Sequence, residues 1–234
     1  VLAVMPWNFP LWQVFRFLAP TLMAGNVAVL KHASNVPRCA DIIAEVLHDA
    51  GVPPGVFAAL HIDNEQAANV LRDKRIAAVT LTGSERAGRS IAANAGDQLK
   101  KCVMELGGSD AFVVLEDADL DKAVAGAITS RFGNAGQTCI AAKRFVVVEQ
   151  IADAFVQRFV EAASKLKLGD PNEETTTLAP MARADLRDEL HKQVLASIAK
   201  GAKPLLGGEP DASHAGYPAS ILDNVVPGMP AYEE

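Results

Sequence analysis

Cys139 stands in Asn134-Ala135-Gly136-Gln137-Thr138-Cys139, a polar, glycine-bearing link between a segment of helical period and a β-branched run. A thiolate is the strongest nucleophile among these side chains, and such a link can present one to a small electrophile. The competing reading is a small buried residue, and Cys39 and Cys102, on a helix face and in a strand, fit that reading. Glu105 closes the apolar run Val103-Met104 and precedes Leu106-Gly107-Gly108. A carboxylate there is costly to bury unless paired or protonated, and a partly desolvated one beside a glycine-lined approach is a candidate general base. A strand-end glutamate reaching solvent is the alternative.

Leu81-Thr82-Gly83-Ser84-Glu85-Arg86-Ala87-Gly88 reads as a strand, a glycine turn and a helix start. Backbone N–H groups and the helix dipole at Gly83 and Ser84 suit a phosphate, although the run is neither G-x-G-x-x-G nor a Walker loop. Pro6-Trp7-Asn8-Phe9-Pro10 fixes an irregular backbone, and the Asn8 amide in that apolar company needs a partner, which an oxyanion would supply. Lys31 ends an apolar strand, the place where ligands dock in open α/β sheets.

The elements that must hold these residues are short β-branched runs alternating with longer helical-period segments, the pattern of a mostly parallel sheet covered by helices. Strands are expected at Val27–Lys31, Val56–Leu60, Ala77–Leu81, Lys101–Leu106, Ala111–Leu115 and Arg144–Val148. Helices are expected at Cys39–Ala50, Ser84–Ala95 with Ser84 as N-cap, Leu120–Phe132, Ile151–Leu166 and Arg183–Lys200. Loops are expected at Gly169–Asn172 and from Gly207-Gly208 to Gly216, and a boundary between two α/β units near Gly107-Gly108.

The chain has 234 residues, half of them apolar, with a net charge of −6 that argues against a disordered tail or a basic nucleic-acid module. Its longest uncharged stretches are broken by Pro6, Pro10, Pro20 and Gly25, so no membrane span or signal peptide is expected. Three cysteines far apart in sequence form neither an even disulfide set nor a metal-binding pattern, which points to a reducing, cytoplasmic compartment.

Taken in order, Pro6–Pro10, Lys31 to Pro37, Thr82-Gly83-Ser84 with Gly88, Glu105-Leu106-Gly107-Gly108 and Gly136-Gln137-Thr138-Cys139 resemble the aldehyde dehydrogenase superfamily over essentially the whole chain. Each motif alone is unspecific; their order and spacing together are not. The resemblance implies an α/β fold in which residues 1–105 are the later part of a Rossmann-type NAD(P)-binding domain and 106–234 the first part of a catalytic domain. It also implies a central segment of a longer, homo-oligomeric chain; the segment alone is expected to aggregate or to bind cofactor weakly.

The family's roles fall on this sequence as follows. Cys139 attacks an aldehyde, the Asn8 amide and the Cys139 N–H hold the oxyanion, and Glu105 activates the water that hydrolyses the thioester. Trp7, Lys31, Ser34, Gly83, Ser84 and Leu106 lie where the family contacts NAD or NADP. Many NAD-preferring members carry a glutamate where this chain has Ser34, and the absence of that charge makes NADP admissible. Lys31-His32-Ala33 and Leu106-Gly107-Gly108-Ser109-Asp110 are most similar to a bacterial subgroup that oxidises succinate semialdehyde, and Arg16 matches that subgroup's substrate-carboxylate arginine. A second arginine of better-known members is replaced here by Gly133, the nearby cation being Arg131, which leaves other small aldehydes open. A cysteine acyl hydrolase without cofactor, or a fragment that only binds nucleotide, are the rival readings.

Overall fold

The computed structural model describes residues 1–211 and 215–233, and the chain divides into two compact units, Val1–Gly107 and Gly108–Glu234. The first unit is built on a five-stranded sheet of β1 (Leu2–Met5), β2 (Ala28–His32), β3 (Phe57–Leu60), β4 (Ala78–Thr82) and β5 (Lys101–Glu105). All its pairings are parallel, in the order β3-β2-β1-β4-β5. Helices α1 (Trp12–Met23), α2 (Pro37–Asp49), α3 (Asn64–Arg72) and α4 (Glu85–Asp97) make the crossovers. This is the strand order of a Rossmann-type dinucleotide unit, in which the order of strands reverses between β1 and β4. Two apolar clusters cover the sheet: Leu2, Leu71, Val79, Leu81, Ile91 and Ala95, and Ala3, Met5, Val14, Leu30, Ala40 and Ile43.

Local chemistry accounts for the helix ends. Pro37 occupies the first turn of α2, where its missing N–H costs nothing. Asp63 and Gln66 form a reciprocal capping box at the start of α3. Ser84 caps α4 as expected, its hydroxyl accepting the Ala87 N–H at 3.3 Å. Gly88 on α4 makes room for Leu106: a Cβ there would stand 2.7 Å from the Leu106 side chain.

The second unit pairs β6 (Ala111–Val114) in parallel with β7 (Arg144–Val147), and β8 (Lys203–Leu206) antiparallel with β9 (Ile221–Asp223). Its long helices are α5 (Leu120–Phe132), α6 (Glu149–Ser164) and α7 (Ala184–Ala199). Their core is aromatic, with Phe145 and Phe155 lying 4.8 Å and 5.7 Å from Phe159 between ring centroids, beside Val114, Val124 and Ala127.

The expected strands and helices form with ends shifted by two residues or fewer. Sequence patterning misses β1, α1, α3, β8 and β9. The loop expected from Gly207-Gly208 to Gly216 contains 212–214, which lie outside the described residues. One expectation needs correcting: Cys102 is exposed and Cys39 half-buried, so neither is a buried core residue. β5 is an edge strand bonded on one side only, so Cys102 has no further strand to pack beneath.

Candidate functional site

The carboxyl ends of parallel strands gather the first unit's candidates, because every crossover helix leaves its strand from that edge. β1 runs into Pro6-Trp7-Asn8, β2 carries Lys31 and leads to Ser34, β4 runs into Gly83-Ser84, and β5 ends at Glu105 with Leu106 next. Register places Lys31 beside Val4 and Leu60, and Glu105 beside Thr82. The Gly83 N–H donates to the Glu105 carbonyl at 3.0 Å, joining the two strand ends.

Glu105 has the environment of a strand-end glutamate reaching solvent, not of a partly desolvated one. Its side chain is 56% exposed and faces the Arg16 guanidinium at 3.5 Å, so the predicted desolvation is absent. The physical reason is the edge position of β5, which leaves Lys101, Val103 and Glu105 on an open face. Arg16 projects from α1 into the same groove of about 500 Å³, lined also by Gln13, Thr80 and Thr82. Gln13 was not singled out by the sequence. It is 5% exposed, and its Oε1 finds no donor among the described residues. An orphaned buried acceptor costs about 1–3 kcal/mol, which a ligand or water donor would relieve. Its only sequence signal is an amide inside the apolar run Leu11-Trp12-Gln13-Val14-Phe15.

His32, beside Lys31 in the sequence, ties two strand ends together. Its Nδ1 accepts the Ala33 N–H at 2.9 Å, so in the neutral ring Nε2 carries the proton and donates to the Pro10 carbonyl at 2.9 Å. The corner that bears Trp7 and Asn8 is thereby fastened to the end of β2. Burial first, and the neighbouring Lys31 charge, push the His32 pKa below its ordinary value, against a smaller opposing pull from the Pro10 and Met5 carbonyls.

The donor set of this edge fits a dinucleotide. Lys31 is buried and makes no hydrogen bond or ion pair among the described residues; burial lowers its pKa, with Asp63 pulling the other way. An ammonium so placed lacks an acceptor that ribose hydroxyls or a phosphate would supply. Ser34 and Ser84 are exposed, and Ser84 sits at the N-terminus of the thirteen-residue helix α4, across the strand-order switch from β1. Leu106 packs on Gly88 of that helix.

The second unit holds the nucleophile candidate. Cys139 is exposed, in a turn closed by the Ala141 N–H to the Thr138 carbonyl at 3.1 Å. Before it, Asn134 and Ala135 both have φ of 53° and Gly136 has φ of 73°. Left-handed backbone costs a non-glycine L-residue about 1–2 kcal/mol, so neighbours must hold this run in place. Gln137 does part of this: its amide donates to the Asn134 carbonyl at 3.1 Å, and its Oε1 accepts the Ala182 N–H at 3.0 Å. Arg131 turns onto the same stretch of backbone. Its Nη2 donates to the Gly136 carbonyl at 2.8 Å and its Nη1 to that of Ala142 at 3.4 Å. Two of its donors are thus engaged by backbone carbonyls of its own unit. Gly108 passes this turn, a Cβ on it lying 3.5 Å from the Cys139 carbonyl.

Comparison with known proteins agrees with these features. The aldehyde dehydrogenase family model matches residues 1–234. A succinate semialdehyde dehydrogenase [NAD(P)+] of Escherichia coli K12 is 57% identical over all of this chain and 51% of its own length. A succinate-semialdehyde dehydrogenase [NADP(+)] of Mycolicibacterium paratuberculosis is 52% identical over all of this chain and 50% of its own. Among solved structures, the Streptococcus pyogenes succinic semialdehyde dehydrogenase in complex with NADP+ superposes with a TM-score of 0.95 at 41% identity, over 99% of this chain and 51% of that one. The chain thus spans about half the length of these relatives. With the family model matched from end to end, this chain belongs to the aldehyde dehydrogenase family.

Proposed function

We propose that the protein containing this chain oxidises succinate semialdehyde to succinate with NAD or NADP, through a thioester on Cys139. The observation that carries the reading is Arg16 and Glu105 side by side, 3.5 Å apart, at the ligand edge of a Rossmann-ordered sheet. A carboxylate that can take a proton from water and a guanidinium that can hold a substrate carboxylate are what this reaction needs together. The names of the similar proteins support the same substrate and cofactors.

In this reading residues 1–105 bind cofactor and 106–234 begin the catalytic domain. Lys31 and Ser34 would hold the adenosine ribose, Gly83 and Ser84 the pyrophosphate, and Trp7 and Leu106 would also contact the cofactor. When bound, the nicotinamide accepts the hydride. Cys139 adds to the aldehyde carbon, and its oxygen becomes an oxyanion held by the Asn8 amide and the Cys139 N–H. After oxidation Glu105 takes a proton from water, which attacks the thioester carbon; the C–S bond breaks and Cys139 leaves as thiolate. The balance is aldehyde, water and oxidised cofactor giving acid, reduced cofactor and a proton. Ser34 brings no negative charge against a 2′-phosphate, which supports use of NADP. The widely spaced cysteines support a cytoplasmic setting, and family membership supports a homo-oligomer.

Adding succinate semialdehyde and NADP to the intact protein should raise absorbance at the reduced-nicotinamide band, and Cys139→Ser should abolish that rise. Ester hydrolysis without any cofactor-dependent signal would replace this reading with the acyl hydrolase.

A further inference from the structure

We propose that Arg131 is the positioning residue of the nucleophile turn, its guanidinium gripping the chain on both sides of Cys139. The inference rests on the reading of Cys139 as nucleophile. The two carbonyls Arg131 reaches belong to Gly136, three residues before Cys139, and Ala142, three residues after it. The grip is close: a Cβ on Gly136 would lie 2.0 Å from Arg131 Nη2 and 2.9 Å from its Cζ. Gly136 is therefore required twice, by its φ of 73° and by the guanidinium resting on it.

The same helix end adds a second hold. Ser130 Oγ accepts the Ala142 N–H at 3.0 Å, so consecutive residues of α5 fasten both backbone groups of one residue beyond the nucleophile. Arg131 has no ion pair among the described residues and is desolvated by its surroundings. A cation kept there without a carboxylate, with its donors on two backbone oxygens, acts on the backbone. What it opposes is the relaxation of Asn134 and Ala135 out of left-handed geometry. Release would swing the turn from which the Cys139 thiol and N–H project, and such positional loss lowers the rate of bond formation more than it weakens cofactor binding.

The test compares Arg131→Met, Arg131→Lys, Gly136→Ala and the Arg131→Met/Gly136→Ala double variant in the intact protein, reading kcat, cofactor KM and melting temperature. Arg131→Met should lower kcat by about 10- to 100-fold while cofactor KM stays within about twofold. Arg131→Lys, which can reach one carbonyl but not both, should fall between it and wild type. Gly136→Ala should reproduce the loss, and the double variant should be no slower than the slower single one, because both break one contact. A kcat for Arg131→Met within about twofold of wild type, or losses that multiply in the double variant, overturns the proposal. Where Arg131→Met does not fold, Arg131→Lys decides: an unchanged kcat overturns it, a lowered kcat at an unchanged melting temperature supports it. Cys139→Ser separates the two levels. If it keeps full turnover, the nucleophile reading and the clamp both fall; if it is dead while the Arg131 variants are silent, the clamp alone falls.

Discussion

Replacing Arg16 by alanine separates substrate recognition from folding, and the structure sets the size of both effects. The Arg16–Glu105 pair is a single contact at 3.5 Å between side chains that are 43% and 56% exposed. Exposed ion pairs contribute about 0–1 kcal/mol, so the melting temperature should drop by no more than about 4 °C. A hydrogen bond from a guanidinium to a substrate carboxylate contributes about 1.5–3 kcal/mol. The substrate must first displace Glu105, giving back up to about 1 kcal/mol. The net is about 0.5–2 kcal/mol, or a 2- to 30-fold fall in kcat/KM for succinate semialdehyde, carried chiefly by KM. Butanal has no carboxylate to bind and should change by less than about twofold. Initial rates of nicotinamide reduction with both aldehydes, on wild type and variant, give the comparison. Equal losses for the two would remove Arg16 from the substrate site and leave it as a surface partner of Glu105.

Three further outcomes follow from the same geometry. Glu105→Gln keeps the shape but not the base, so it should form one equivalent of reduced cofactor in a rapid burst and then turn over about 10²–10⁴-fold more slowly; steady turnover at the wild-type rate would exclude Glu105 as the base. Ser34→Glu places a carboxylate where a 2′-phosphate would lie and should raise KM for NADP at least about tenfold with little change for NAD, and parallel saturation curves for the two cofactors check it. His32 is held neutral by burial, its folded pKa below the ordinary 6.5. The unfolded chain then binds the extra proton, so His32's contribution to stability is full above pH 6.5 and is lost as pH falls from there through the folded value. Thermal melts from pH 7.5 downward should show that acid loss in wild type and a flatter profile in His32→Gln, which keeps the donor to Pro10; identical profiles would remove His32 as the titrating group.

Chemistry-bearing residues were legible in the sequence where one local motif both makes the turn and bears the reactive group. Ser84 shows this, since the hydroxyl that caps α4 follows the glycine that ends β4. The environment of Glu105 was not legible, because the edge position of β5 depends on where β4 lies, a fact about pairing of distant segments. β1 escaped because it is only four residues long and nearly buried throughout, leaving no alternation to read. α1 escaped because Pro20 interrupts it and no side chain caps its start. α3 did carry a signal, the Asp63 and Gln66 capping box, ahead of nine residues with few apolar positions. The role of Arg131 is not legible, because its two backbone acceptors, Gly136 and Ala142, are brought to it only by the fold of the turn between them.

The one-directional sheet of the first unit divides its connections into two sets with different freedoms. Returns into β3, β4 and β5 cross the opposite edge, through the segments 50–56, 73–77 and 98–100. In the first of these Gly51 and Gly55 adopt positive φ and face open space. Lengthening such a return costs only loop-closure entropy, which rises by about 0.6 kcal/mol per doubling. A fluorescent reporter or a short inserted domain between Gly51 and Gly55 would therefore ride on the folded unit at the far end of its strands, following assembly while the ligand-bearing edge stays as it is.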